Sequence, residues 1–311
     1  MPIYSQTPNA DANGNGNGQA ESVGLIGIGL MGSALAERVL GGGMKVVGYD
    51  IRPARCVLLT DLGGNAVDDA NAVAARCNRI LLSLPDSAVV EQVLDEIADR
   101  LRPGQIIVDT STGEPGRAAA LGERLGRLDV AYLDATVSGS SAQVRTADVT
   151  LMVGGSRSAF DRCLDLFNLF SRRAFHVGGC GGGSMMKLVT NLVLGLNRAA
   201  LAEGLSFARA LGLDGGKTLD VLRESMAYSR TMDTKGEMMV TGQFEAQAKL
   251  SQHLKDVRLI LEAGTETGAE LPLSRTHREL LELAEAAGLG QLDNSAIIQV
   301  FEQSLLARKR S

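Results

Sequence analysis

The chain has 311 residues, 45% of them hydrophobic and 22% charged, with a formal net charge of -5. That length suits two domains with ample core, and the acidic balance argues against nucleic acid or an anionic membrane surface as the main partner. Four cysteines (Cys56, Cys77, Cys163, Cys180) form no CxxC pair and three histidines (His176, His253, His277) are scattered, so free thiols in a reducing cytoplasm are expected and a metal site is not.

Residues 1–21, "MPIYSQTPNADANGNGNGQAE", lack the basic and apolar regions of a signal peptide, and their Asn-Gly alternation predicts a disordered tail. No apolar run reaches the ~18 residues of a membrane span. From residue 22 to 183, short β-branched runs at 23–26, 45–49, 80–84, 106–109, 131–135 and 150–153 read as strands. Segments such as 87–101 and 114–125 carry helical spacing between them, so βαβ units and a parallel, doubly wound sheet are expected. After Gly183 the strand signal stops. Helices are predicted over 184–211, 216–226, 247–267, 276–287 and 293–306, an all-α domain spanning 184–311.

The segment "VGLIGIGLMGSALAERVL" sets Gly27, Gly29 and Gly32 in GxGxxG spacing, directly after a strand and opening a helix. Such a loop (Gly27, Ile28, Gly29, Leu30, Met31, Gly32) lets a pyrophosphate approach free N–H groups at a helix N-terminus. Asp50, in "VVGYDIRP", ends the next strand about 20 residues on. Alone it is a turn residue before Arg52-Pro53; with the glycine loop in register it reads as the acceptor for the adenosine ribose hydroxyls. A carboxylate there opposes a 2′-phosphate and favours NAD, while Arg52 leaves NADP open.

The segment "GCGGGSMMKLVTN" runs glycines into an apolar helix that nonetheless carries Lys187 and Asn191 one turn apart. Lys187, Thr190, Asn191, Leu194, Asn197 and Arg198 share one stripe, which suits either a solvated face or a cleft wall. In the first turn of a helix the dipole disfavours a cation by about 0.3–1 kcal/mol. A surface lysine gains nothing there, whereas a proton-transferring lysine gains a pKa lowered toward neutrality.

Four motifs in order, "GLIGIGLMG", "DATVSGSSAQVRTADVTLMVGG", "GCGGGSMMKLVTN" and "HLKDVRL", span residues 23 to about 305. In these the chain resembles the β-hydroxyacid dehydrogenase family, which includes 3-hydroxyisobutyrate dehydrogenase and tartronate semialdehyde reductase, with 6-phosphogluconate dehydrogenase more distant. The resemblance implies a Rossmann-type NAD-binding domain over 22–183 and a helical substrate and oligomerisation domain over 184–311, with the active site in the cleft between them. It implies that Lys187 exchanges the hydroxyl proton and that Asn191 holds the substrate. Ser138, Gly139 and Ser140 are implied to bind the substrate carboxylate. Leu84, Pro85, Thr112 and Lys255 are implied to contact the cofactor.

The same resemblance implies NAD(P)-dependent hydride transfer to or from a small 3-hydroxy acid or its semialdehyde, in a cytoplasmic homodimer or homotetramer. Two positions depart from the family pattern "DAPVSGG": Thr136 replaces its proline and Ser140 its last glycine. Two other functions stay open. Some relatives keep the fold as non-catalytic dinucleotide-binding scaffolds, and imine reductases replace the lysine that this chain keeps.

Overall fold

Alternate residues of the strands feed two separate apolar clusters, and this shapes the first half of the chain. Val23, Leu25, Leu81, Val108 and Leu133 enter one cluster, while Ile26, Ile80, Leu82, Ile107 and Tyr132 enter the other. Successive side chains on a strand point to opposite faces, so a sheet with both faces apolar must be covered on both. The computed structural model describes residues 22–302. The predicted tail at 1–21 and the end of the predicted helix at 293–306 lie outside the described residues.

The chain divides into two compact units between Gly181 and Gly182. In the first, the strands are β1 (Ser22–Ile26), β2 (Lys45–Tyr49), β3 (Asn65–Ala66), β4 (Arg79–Leu82), β5 (Ile106–Asp109), β6 (Ala131–Ser138), β7 (Thr150–Gly154) and β8 (Arg173–Gly178). They form one sheet in the order β3-β2-β1-β4-β5-β6-β7-β8. Its first six positions follow the dinucleotide-binding order, with the direction of winding reversing between β1 and β4. Helices including Leu30–Gly41, Ala70–Arg76, Ser87–Glu96 and Pro115–Gly126 cover the faces. Packing is close enough that a Cβ at Gly24 would stand 2.7 Å from Val73 Cγ1.

Within this Rossmann-type unit, β7 runs antiparallel to β6, against the all-parallel expectation. Residues 139–149 give only a short helix, Ser141–Arg145, and a turn; a parallel crossover needs a dozen or more residues. Strands β3 and β8 were also not expected. The first has two residues, and the second is an edge strand whose Arg173 and Phe175 are exposed.

The second unit is helical: Gly182–Ala210, Gly215–Glu224, Arg230–Thr241, Leu250–Thr267 and Pro272–Ala286, followed by short 3-10 turns at Leu289–Gln291 and Asn294–Ile297. Leu201, Leu205, Leu219, Met232, Leu254 and Leu281 lie in its core. Helix Arg230–Thr241 escaped the sequence reading because Gly236 interrupts a polar segment. The glycine serves packing, since a Cβ there would stand 2.5 Å from Leu219 Cδ1. The predicted helix from 293 begins instead as a 3-10 turn, with Asp293 as its cap accepting from Ser295 N.

Candidate active site

At the C-terminal ends of β1, β2, β4 and β5 the chain brings together Gly27, Asp50, the Ser83–Pro85 segment and residues 110–112. The ladder continues past the strands: Gly27 N donates to Tyr49 O (2.9 Å), Ser83 N to Ile26 O (3.0 Å) and Thr110 N to Leu82 O (2.8 Å). In open α/β sheets this edge, at the reversal between β1 and β4, is where ligands bind.

The three loop glycines meet three different demands. Gly27 has φ +91°, a conformation that disfavours any side chain, and a Cβ on it would collide with the Ser83 carbonyl. A Cβ on Gly32 would collide with the Gly27 carbonyl. Gly29 has nothing within 4 Å of the position a Cβ would take, so the protein itself does not require a glycine there. Gly29 caps helix Leu30–Gly41, which has no side-chain cap and no acidic residue in its first turn. Exposed N–H groups, a positive dipole end and open space in front of Gly29 suit a pyrophosphate, so the residues present fit a dinucleotide.

Asp50 is buried, with 7% exposure. Its Oδ2 accepts from Ile28 N (2.7 Å), and its Oδ1 accepts from Arg52 N (2.9 Å) and Arg52 Nε (3.2 Å). Burial pushes this carboxyl up, but the hydrogen bonds from Arg52 and Ile28 outweigh it and hold it below the ordinary range. Asp50 is therefore ionised at neutral pH, and it ties the glycine loop to the end of β2. Ser111, which the sequence reading passed over, accepts from Leu84 N at 2.9 Å and so fixes the Leu84-Pro85 segment, while Thr112 is exposed beside it.

Ser138 ends β6 and Gly139 follows with φ +149°, where a Cβ would stand 2.5 Å from Val149 Cγ1. Ser140 caps helix Ser141–Arg145 in a reciprocal box. Its Oγ accepts from Gln143 N (3.3 Å), and Gln143 Oε1 accepts from Ser140 N (3.0 Å) and Ser140 Oγ (3.2 Å). The Ser140 N–H implied to bind substrate is thus engaged within the chain. The pattern Ser-x-x-Gln carries this capping signal in the sequence itself. Thr136, in the family's proline position, pairs with Met152 and donates its hydroxyl to Met152 O at 3.3 Å.

In the helical unit, Lys187 and Asn191 face Asp256 of helix Leu250–Thr267. Asn191 Nδ2 donates to Asp256 Oδ2 at 3.5 Å. Burial lowers the Lys187 pKa, and the Asp256 carboxylate opposes that shift. Burial in turn raises the Asp256 carboxyl, opposed by Lys187 and by Gln252, Lys255 and Arg198. The helix starts at Gly182, which makes Lys187 its sixth residue and puts it in the second turn, not the first. Desolvation, rather than the helix dipole, therefore depresses this lysine, because the dipole effect fades beyond the first turn. Lys255 is exposed on the neighbouring position. Asp256, next to Lys255 in "HLKDVRL", carries no sequence signal of its own, yet it accepts from Asn191 and its charge acts on Lys187.

Among known proteins, the family described as the NAD binding domain of 6-phosphogluconate dehydrogenase matches residues 22–179. The family described as the NAD-binding domain of NADP-dependent 3-hydroxyisobutyrate dehydrogenase matches residues 181–301. The chain is 32% identical over 285 residues to 2-(hydroxymethyl)glutarate dehydrogenase of Eubacterium barkeri, covering 90% of this chain and 95% of that one. It is 32% identical over 283 residues to 2-hydroxy-3-oxopropionate reductase of Escherichia coli, covering 90% and 97%. A solved structure of Mycobacterium tuberculosis 3-hydroxyisobutyrate dehydrogenase with L-serine superposes with a TM-score of 0.83 at 25% identity, covering 90% and 99%. With both units matched and the relatives aligned over nearly their whole length, the chain belongs to the β-hydroxyacid dehydrogenase family.

Proposed function

We propose that the chain oxidises a small 3-hydroxy acid, or reduces the matching semialdehyde, with NAD(H) preferred over NADP(H) and with Lys187 exchanging the hydroxyl proton. The family makes it an NAD(P)-dependent hydroxy-acid oxidoreductase. The substrate class follows from what the relatives' names share. 2-(Hydroxymethyl)glutarate, 2-hydroxy-3-oxopropionate and L-serine each carry a carboxylate with the hydroxyl or carbonyl carbon one atom further along.

The observation that carries the assignment is a lysine of lowered pKa beside one carboxylate and one oriented amide. When bound, the nicotinamide gives or takes the hydride. In the oxidation direction Lys187 Nζ accepts the hydroxyl proton, and in reduction it returns it. Asp256 takes one N–H of the Asn191 amide and leaves the other to hold the substrate oxygen. Ser138 and Gly139 supply donors to the carboxylate, as preorganised backbone groups do. Ser140 joins them only if Gln143 releases its N–H. Leu84, Pro85, Thr112 and Lys255 complete the cofactor contacts in this scheme, and the enzyme works as a homodimer or homotetramer in the cytoplasm. A light-scattering mass of one chain would remove the oligomer from it.

Lys187→Ala should lower turnover by about 10²–10⁴-fold, the usual share of general acid–base catalysis, while NADH affinity stays as in the wild type. The assay is NADH oxidation with a panel of small aldehyde acids and cyclic imines. Wild-type turnover surviving in Lys187→Ala would overturn the lysine's role. Turnover of the imines alone, or of nothing in the panel, would overturn the substrate class.

A further inference from the structure

The loop after β6 already holds an acceptor of its own. Gln143 Oε1 lies 3.0 Å from Ser140 N and 3.2 Å from Ser140 Oγ, and it accepts a hydrogen bond from each. The hydroxyl of the second bond is the one that Ser140 adds where the family keeps a glycine. The same oxygen would stand 3.3 Å from a Cβ on Gly139, so it rests against both residues. That the oxygen of the carboxamide, and not its nitrogen, faces Ser140 follows from chemistry, since an N–H is met only by an acceptor.

The backbone beneath this carboxamide is pinned. The Gln143 carbonyl accepts from Asp148 N at 2.8 Å and from Thr146 Oγ1 at 3.1 Å, and its N–H donates to Ser140 Oγ at 3.3 Å. Val144, the next residue, is fully buried. Removing the carboxamide from Ser140 therefore needs only a turn of the side chain, and the loop stays where it is. Gln143 is half-buried, so water can reach the carboxamide once it has turned away.

Ser138, Gly139 and Ser140 form the proposed carboxylate subsite, and a carboxylate oxygen seeks the same donors that Gln143 Oε1 holds. We propose that Gln143 is a specificity-determining residue: its Oε1 occupies the Ser140 N–H and hydroxyl, and a substrate carboxylate must displace it to be held by all three residues. The inference rests on the carboxylate reading of this loop. Displacement exchanges a neutral acceptor for a charged one, and the charged hydrogen bond is the stronger, so the acid still binds. Part of its advantage is spent on turning Gln143 out. A substrate end that never reaches Ser140 loses nothing, so Gln143 weakens the preference of the enzyme for an acid.

The test is NAD⁺-linked oxidation of 3-hydroxypropionate by full-length wild type and three variants. Gln143→Ala frees both Ser140 donors and should lower KM about 3- to 10-fold, the share of a neutral hydrogen bond. The change should fall on KM rather than kcat, because the bond concerns binding alone. Gln143→Met keeps the length of the side chain without its acceptor and should do the same, which covers a fold too weak in the alanine variant. Gln143→Glu places a fixed anion against Ser140 and should raise KM at least about tenfold at neutral pH. A cap that served only the fold would move KM the other way in Gln143→Ala and Gln143→Met, or lower kcat.

KM unchanged or raised in both Gln143→Ala and Gln143→Met would overturn the proposal while leaving the substrate class standing. If wild type oxidises no 3-hydroxy acid, the substrate class falls by itself, and a binding measurement still decides the role of Gln143. Full-length protein labelled with ¹⁵N at serine is titrated with 3-hydroxypropionate, the Ser140 amide signal being assigned by its loss in Ser140→Ala. That signal should respond at about 3- to 10-fold lower concentration in Gln143→Ala than in wild type. A signal that responds in neither protein, or equally in both, would overturn the proposal.

Discussion

Gly29→Ala separates the demands of the fold from those of the cofactor. Gly29 has φ -72° and ψ -158°, a conformation open to any L-residue, and its Cβ would meet nothing within 4 Å. Replacing glycine by alanine at a compatible position stabilises by about 0.4–1 kcal/mol through the unfolded chain. Alanine is a poorer N-cap than glycine by a similar amount, so the two effects roughly cancel. The melting temperature should stay within about 2 °C of wild type. Binding should change far more, because the methyl group would occupy the space through which a pyrophosphate reaches the N–H groups of helix Leu30–Gly41.

Losing one charge-assisted hydrogen bond costs about 1.5–3 kcal/mol, or roughly 10- to 150-fold in Kd. The assay pairs thermal unfolding with calorimetric titration of NADH. Gly32→Ala is the contrast: its Cβ would collide with the Gly27 carbonyl, so overpacking should cost about 1–3 kcal/mol in stability before any ligand is added. A Gly29→Ala protein that binds NADH as tightly as wild type would refute the placement of the pyrophosphate at this helix.

NAD⁺ should bind at least about tenfold tighter than NADP⁺, since Asp50 is ionised and a 2′-phosphate would meet its charge; Asp50→Ser should narrow the gap, and equal wild-type affinities by calorimetry would sink the idea. Asp293→Asn should cost about 3–5 kcal/mol in urea unfolding at neutral pH, because Lys235 would keep a buried charge without its 2.8 Å partner. Burial alone would raise the Asp293 carboxyl, but the hydrogen bonds from Lys235, Ser295 and Ala248 outweigh it and lower it. Its stabilisation is then present above the ordinary carboxylate range and lost as pH falls through the lowered folded value, so the gap between wild type and variant should close in acid; a gap constant with pH would contradict this.

What the sequence disclosed depended on how local each cause is. The glycine loop is legible because Gly32 answers to the Gly27 carbonyl within a motif of fixed spacing, and Asp50 follows at a set interval. Lys187 and Asn191 stood out because a lysine and an amide are conspicuous in an apolar helix. Asp256 did not: its partner Asn191 lies 65 residues upstream, and nothing in "HLKDVRL" distinguishes a surface ion pair from a charge turned inward. Arg198 is the sharper case. On a helical wheel it continues the stripe of Lys187 and Asn191 and reads as more of the same face. Yet it is buried, because the helices carrying His253 and His277 close over that part of the stripe. Periodicity fixes which side chains share a face; only the packing of other helices decides where along that face water stops. Lys187 and Arg198 thus read alike in sequence, while in the fold Lys187 is only partly buried and Arg198 is closed off from water.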